Sequence, residues 1–246
     1  MKKYLYISFL FILLFSFIKN KTFIKTKNLR AAEEKIKKLT AIHLKNYMNT
    51  NKMHIIDTRD NTISNKGFLK NSLLLPLKMS YKTWLRSLVN KGSNIVLICD
   101  EDNYEDAVDT TKELGIYNIV GYAIYKEIIK QSDLNIQKAE YNDNTKKEVE
   151  KLVTKGKYLL DIREIKEYKE TGVIKEAHLI PLSTFESDYK KLPEDVDIYI
   201  FCKSGGRALL GMSYLKRIGL KNKFIIMKEG MDKTIKEGYP LVQYEE

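Results

Sequence analysis

Residues 197–220 read DIYIFCKSGGRALLGMSYLKRIGL. The run Ile198–Phe201 is apolar, β-branched and aromatic, which suits a buried strand. Cys202 follows it, then Lys203, Ser204, Gly205, Gly206 and Arg207. From there Leu209, Met212, Leu215 and Ile218 recur at helical spacing until Gly219 stops the pattern. A strand, a glycine-bearing loop and a helix in that order place Cys202 at the carboxyl end of a strand. Open α/β sheets bind their ligands there.

A second stretch has the same outline. NIVLICDEDNYEDAVDTTKELGI, from Asn94, sets Cys99 at a strand end and continues into a helical pattern through Ala107, Val108, Thr111 and Leu114. The flanks align as well. HIIDTRDN at His54 matches YLLDIREI at Tyr158, SLLLPL at Ser72 matches AHLIPL at Ala177, and ELGIYNIVGY at Glu113 matches RIGLKNKFIIM at Arg217. Asp57 precedes Cys99 by 42 positions and Asp161 precedes Cys202 by 41. Two copies of one domain, offset by about a hundred residues, account for this. Each alternates short strands with helices, which predicts an α/β domain with a mainly parallel central sheet flanked by helices. The expected domains are 37–138 and 139–246, joined in the polar, turn-rich KAEYNDNTKKE.

The formal charge of +11 is unevenly spread. Residues 1–52 hold twelve Lys/Arg against Glu33 and Glu34, so the remainder is close to neutral. That distribution argues against a nucleic-acid groove. Lys2 and Lys3 precede an apolar run, residues 4–18, and lysines follow it. Residues 1–20 therefore read as a signal peptide or signal anchor and 21–36 as a basic linker. A stretch of fifteen residues falls short of the about 20 that cross a bilayer comfortably. Export, periplasmic placement or a membrane tether through residues 4–18 is expected. An organelle-targeting leader is the alternative, since 19–32 carry no acid. Two cysteines are too few for a disulfide framework, although a Cys99–Cys202 bridge is possible in an oxidising compartment, where it would disable the Cys202 thiol as a redox regulator. His43, His54 and His178 lack a metal-ligand spacing, and no phosphate-loop motif occurs, so neither a metal nor a cofactor is expected.

The loop after Cys202 has the means to activate a thiol. Glycines let backbone N–H groups turn inward as an anion nest, and the helix N-terminus adds positive partial charge. Lys203 and Arg207 act in the same sense, so a lowered thiol pKa is expected. A thiolate so placed is a nucleophile that carries a covalent group without a separate base. The Cys99 loop runs Asp100, Glu101, Asp102, Asn103, Tyr104, Glu105, Asp106. It has no glycine, and its carboxylates would raise the thiol pKa and repel anions. The first domain is therefore expected to be an inactive scaffold or docking surface.

At this point the residues resemble a family. CKSGGR is similar to the Cys-x-x-Gly-x-Arg loop of rhodanese-type sulfurtransferases. LLDIREIKEY, AHLIPL and KEGMDKTIKEGYP resemble that family's other marks. Two departures stand out. Gly172-Val173-Ile174 replaces the usual Gly-His-Ile, and Ile235 stands at the position expected for the closing Trp. The tandem pair, with its degenerate first copy, looks like the two-rhodanese tail of metallo-β-lactamase-fold persulfide dioxygenases without the hydrolase-like domain. The resemblance implies attack by Cys202 on thiosulfate or a persulfide. A Cys202 persulfide then passes its sulfur to a thiol or cyanide, with Lys203, Ser204, Gly205, Gly206 and Arg207 holding the anion. Arg207 would either attract the donor or brace the loop through a carboxylate. The pairs Asp57–Arg59 and Asp161–Arg163 would be structural. The implied partners are small sulfur-containing anions, a thiol acceptor and a protein sulfur donor or acceptor. The rival reading is a non-catalytic sulfur carrier or interaction module. Related phosphatases and arsenate reductases place five residues between Cys and Arg, whereas four lie between Cys202 and Arg207.

Overall fold

Short β-branched runs separated by helix-period segments build two parallel sheets in this chain. The computed structural model describes residues 36–48, 53–60, 66–78, 80–115, 117–130 and 134–245. The signal-peptide reading and nearly all of the basic linker lie outside them. No helix among the described residues is long and apolar enough to cross a membrane.

The first module runs α1 (Ala41–Met48), β1 (Met53–Asp57), β2 (Phe68–Leu69), β3 (Leu73–Leu74), α2 (Tyr81–Leu88), β4 (Asn94–Cys99), α3 (Tyr104–Lys112), β5 (Asn118–Ile124), α4 (Tyr125–Ile128) and β6 (Ile136–Gln137). Its sheet has the order β3-β1-β4-β5, all parallel. Lys38 adds a parallel bridge beside Tyr122. Gly121 permits that approach, because a Cβ there would lie 2.6 Å from the Lys37 carbonyl oxygen. β2 pairs antiparallel with β6.

The second module runs β7 (Glu140–Asn142), α5 (Lys146–Thr154), β8 (Tyr158–Asp161), α6 (Ile165–Thr171), β9 (His178–Leu179), α7 (Phe185–Asp188), β10 (Ile198–Phe201), α8 (Gly206–Arg217), β11 (Phe224–Met227) and α9 (Gly230–Lys236). Its sheet order is β7-β11-β10-β8-β9, again all parallel. Read from β9 inward, it repeats the first sheet strand for strand. The chain changes sheets between Gln137 and Glu140.

Helix α8 departs from its expected one-sided pattern. Leu209, Met212 and Leu215 are buried, but so are Ala208, Leu210, Gly211, Ser213 and Tyr214. The reason is that α8 has sheets on two sides. Gly211 faces its own sheet so closely that a Cβ would meet Ile162 Cδ1 at 2.9 Å and Ile200 Cδ1 at 3.2 Å. Ser213, about 200° further round the helix, faces the other module. Its hydroxyl accepts from the Leu74 N–H at 2.9 Å and donates to the Leu210 carbonyl at 2.8 Å. A side chain of the second module thus satisfies a backbone donor on β3, an edge strand of the first.

The closing motif needs a correction. Ile235 is 40% exposed, whereas Thr234 is fully buried. Counting back from Gly238 with three residues between also arrives at Thr234. Thr234, not Ile235, therefore fills the interior position.

Ser213→Ala leaves the Leu74 N–H buried and unpaired, which is expected to lower unfolding free energy by about 1–3 kcal/mol. Chemical denaturation measures this, and an unchanged midpoint would refute the bridging role.

Candidate active site

The buried pair Asp161–Arg163 anchors the second module's loops. The Arg163 backbone N–H, Nε and Nη2 donate to the Asp161 carboxylate at 2.7–3.1 Å. Arg163 also reaches Thr171 Oγ1 at 2.6 Å and the Gly172 carbonyl at 2.9 Å. It thereby ties the end of α6 to the end of β8. Gly172, at φ 77°, could not carry a Cβ, which would fall 2.7 Å from the Val242 carbonyl oxygen. In the first module Arg59 Nε and Nη2 hold Asp57 at 2.9 and 2.7 Å, and Nη2 reaches the Gly67 carbonyl at 2.8 Å. Its guanidinium lies over the Tyr125 ring, 3.2 Å from the centroid. All four ionic residues are buried and touch neither sulfur by a hydrogen bond, which fits a scaffolding part.

Cys202 sits at the tip of β10 with 1% of its surface exposed. The Gly205 N–H donates to its Sγ at 3.2 Å. Gly205, at φ 95°, turns the chain into α8, so the helix begins directly over the sulfur. Backbone N–H groups of Ser204 and Ala208 also favour the anionic sulfur, as does the Arg207 charge. Yet burial outweighs them, and the resting thiol lies above its usual pKa. This overturns the expectation of a lowered pKa. The nest and the cation are present, but so is a closed, dry surround that the sequence did not reveal.

What holds the loop's carbonyls outward is the N-terminus of α9. Met231 N–H donates to the Cys202 carbonyl at 2.8 Å and Asp232 N–H to the Lys203 carbonyl at 2.9 Å. Gly230 must be glycine, since at φ 54° its Cβ would lie 2.1 Å from the Cys202 carbonyl oxygen. Asn144 Nδ2 holds the Gly230 carbonyl at 2.5 Å. None of Gly230, Met231, Asp232 and Asn144 was singled out from the sequence. Only the glycine of the KEG segment was a signal.

Arg207 braces the loop. Its Nη1 and Nη2 each bond a Glu167 oxygen at 2.6 Å, a two-pronged pair. Glu167 Oε2 also accepts the Glu164 N–H at 2.9 Å at the start of α6. Burial raises the Glu167 carboxyl, but Arg207 and that N–H prevail and hold it below the usual carboxylate range. Of the two roles open to Arg207, the structure shows the carboxylate pairing. Lys203 and Ser204 are exposed. Ser204, Gly205 and Gly206 line a cleft of about 210 Å³ together with Tyr141, Leu209, Ile226, Lys228 and Glu229.

The first module's sulfur is different. Cys99 is fully buried, and Thr58 Oγ1 donates to its Sγ at 3.5 Å. Its loop is closed by a local side-chain bond, Asn103 Oδ1 accepting from the Asp100 N–H at 2.9 Å. Burial first, then Asp57 and Asp100, push the Cys99 thiol up to about 12. The expected role of carboxylates is therefore real but secondary to burial. Both cysteines are free, so the Cys99–Cys202 bridge is not formed.

Alkylation of the resting protein checks these thiols. Because the Cys202 pKa is raised, its iodoacetamide rate is expected to keep climbing above pH 9, while Cys99 stays unmodified until unfolding. A Cys202 rate that levels off below pH 8 would contradict the burial argument.

Residues 40–123 and 145–237 both match the rhodanese-like domain. Over 73 residues the chain is 38% identical to the "Putative sulfur carrier protein YrkF" of Bacillus subtilis (strain 168), a match covering 30% of this chain and 38% of that protein. It therefore spans well under half of that relative. Among solved structures, a rhodanese-related protein from Thermoplasma volcanium is 26% identical, with 43% of this chain and 99% of that one covered and a TM-score of 0.37. The thiosulfate sulfurtransferase of Pseudomonas aeruginosa is 15% identical, with 85% and 44% covered and a TM-score of 0.38. With both modules matched over most of their length, the chain belongs to the rhodanese-like domain family and carries two copies of that domain.

Proposed function

We propose that this protein is a sulfurtransferase whose second module works through a Cys202 persulfide, while the first module is a catalytically silent scaffold. The observation that carries this reading is the contrast between the two sulfurs. Cys202 receives the Gly205 N–H at a helix N-terminus, with Arg207 close by. Cys99 receives only the Thr58 hydroxyl and faces an acidic loop.

The reaction has two displacements. Cys202 first loses its proton to solvent, and the thiolate attacks the outer sulfur of thiosulfate, forming a Cys–S–S⁻ persulfide and releasing sulfite with the electron pair of the broken S–S bond. A thiolate or cyanide then attacks the outer sulfur, giving a small persulfide or thiocyanate and restoring the Cys202 thiolate. A persulfide donor enters the same way and leaves as a thiolate. The N–H groups of Ser204 and Gly205 favour sulfur as an anion, and a persulfide is a stronger acid than a thiol. The covalent intermediate therefore keeps its charge where the resting thiol holds its proton. Arg207 acts through position and charge, fixed by Glu167, and the exposed Lys203 attracts the anionic donor.

A second reading is favoured by the likeness to YrkF, whose name describes a sulfur carrier. Cys202 would then take sulfur from a protein partner and hand it on without turning over thiosulfate.

A thiosulfate:cyanide assay separates the two. Wild type and Cys99→Ala are expected to turn over equally, and Cys202→Ala to lose at least about a thousandfold. Turnover that survives Cys202→Ala would overturn the catalytic assignment. Absence of turnover in wild type, together with sulfur transfer from a protein persulfide, would establish the carrier.

A further inference from the structure

Helix α8 starts over Cys202 and ends, twelve residues on, at a second cavity. This cavity, of about 280 Å³, is lined by Tyr47 and Met48 from α1, Met53 and Ile55 from β1, Asn71, and Arg217 and Ile218 at the end of α8. It lies on the seam between the modules, because α8 belongs to the second and the other walls to the first. No residue of the sulfur chemistry takes part in it.

The walls are chemically mismatched. Met48, Met53, Ile55 and Ile218 are apolar. Arg217 is a half-buried cation that forms no hydrogen bond or ion pair with any described residue. With no carboxylate paired to it among the described residues, a guanidinium withdrawn from water is unfavourable, and arginines so placed ordinarily pair. Elsewhere in this chain they do: Arg59, Arg163 and Arg207 each hold a carboxylate. The Arg217 charge is also felt beyond the cavity. Burial and Arg217 together hold the neighbouring His54 ring down to about 4, and its buried Nδ1 has no partner among the described residues.

We propose that this seam cavity binds a small organic monoanion, a carboxylate with a short apolar body. The carboxylate pairs with Arg217, whose planar fork suits two parallel hydrogen bonds. The hydrocarbon lies against Met48, Met53, Ile55 and Ile218. A bare inorganic anion meets Arg217 and leaves the apolar wall wet, and a neutral alcohol does the reverse. The volume is at the small end for ligand pockets and suits an acid of roughly six carbons. Such a ligand touches both modules and the helix that carries the Cys202 loop.

Isothermal titration calorimetry of the full-length protein with hexanoate tests this. Saturable binding at one site is expected, with hexanol and sulfate each binding at least about tenfold more weakly. Arg217→Gln removes the cation. Asn71→Asp keeps it but supplies an internal carboxylate from the same wall. Each is expected to weaken hexanoate at least about tenfold in protein whose thermal unfolding shows it folded. Lack of saturable hexanoate binding to wild type would overturn the proposal. So would hexanol or sulfate binding as tightly, or hexanoate binding that survives both substitutions.

Discussion

The second module depends on where two backbone carbonyls point. Cys202 and Lys203 give theirs to the first N–H groups of α9, so the following N–H groups are free to turn toward the sulfur. A peptide unit presents N–H and C=O on opposite sides, so anchoring the Lys203 carbonyl aims the Ser204 N–H, which favours the anionic sulfur alongside that of Gly205. Gly230 is required because the two segments approach too closely for any side chain. The thiol's surroundings are thus set by contact between two helix N-termini, α8 above the sulfur and α9 behind the loop. Arg207 and Glu167 then fix the loop against α6, and Arg163 fixes the end of α6 against the sheet.

The first module, whose cysteine is walled in, meets the second through α8. A helix buried on all sides needs apolar surface to pack on and polar partners for what it meets. The first sheet supplies both, with Ser213 capping the β3 edge at Leu74. The first module thus packs against the helix that carries the candidate active loop. Its own ionic pair, Asp57–Arg59, preserves the framework of the second module while Tyr125 takes the guanidinium face.

Much of this was legible in the sequence. The repeat, the strand runs, the D-x-R pairs and the contrast between CKSGGR and CDEDNY are local patterns, and the parallel sheets follow from them. What was not legible depends on residues far apart in the chain. Glu167 meets Arg207 across 40 positions, so the sequence left open whether Arg207 braces or recruits. The all-round burial of α8 arises from packing between modules, which periodicity within one helix does not register. The thiol pKa is hidden from the sequence for the same reason. Charges and glycines can be counted in a loop, but the desolvation that opposes them is a property of the folded surround. Thr234 was passed over because a buried threonine and an exposed isoleucine invert the usual hydropathy rule.

The account's central claim is that Cys202, and not Cys99, carries sulfur. Intact-mass and peptide mass spectrometry after brief exposure to thiosulfate, with no acceptor present, tests it most directly. The account predicts a gain of one sulfur atom, confined to the peptide containing Cys202 and discharged by cyanide. Sulfur on Cys99, or an unmodified Cys202 in protein that still turns over thiosulfate, would contradict it.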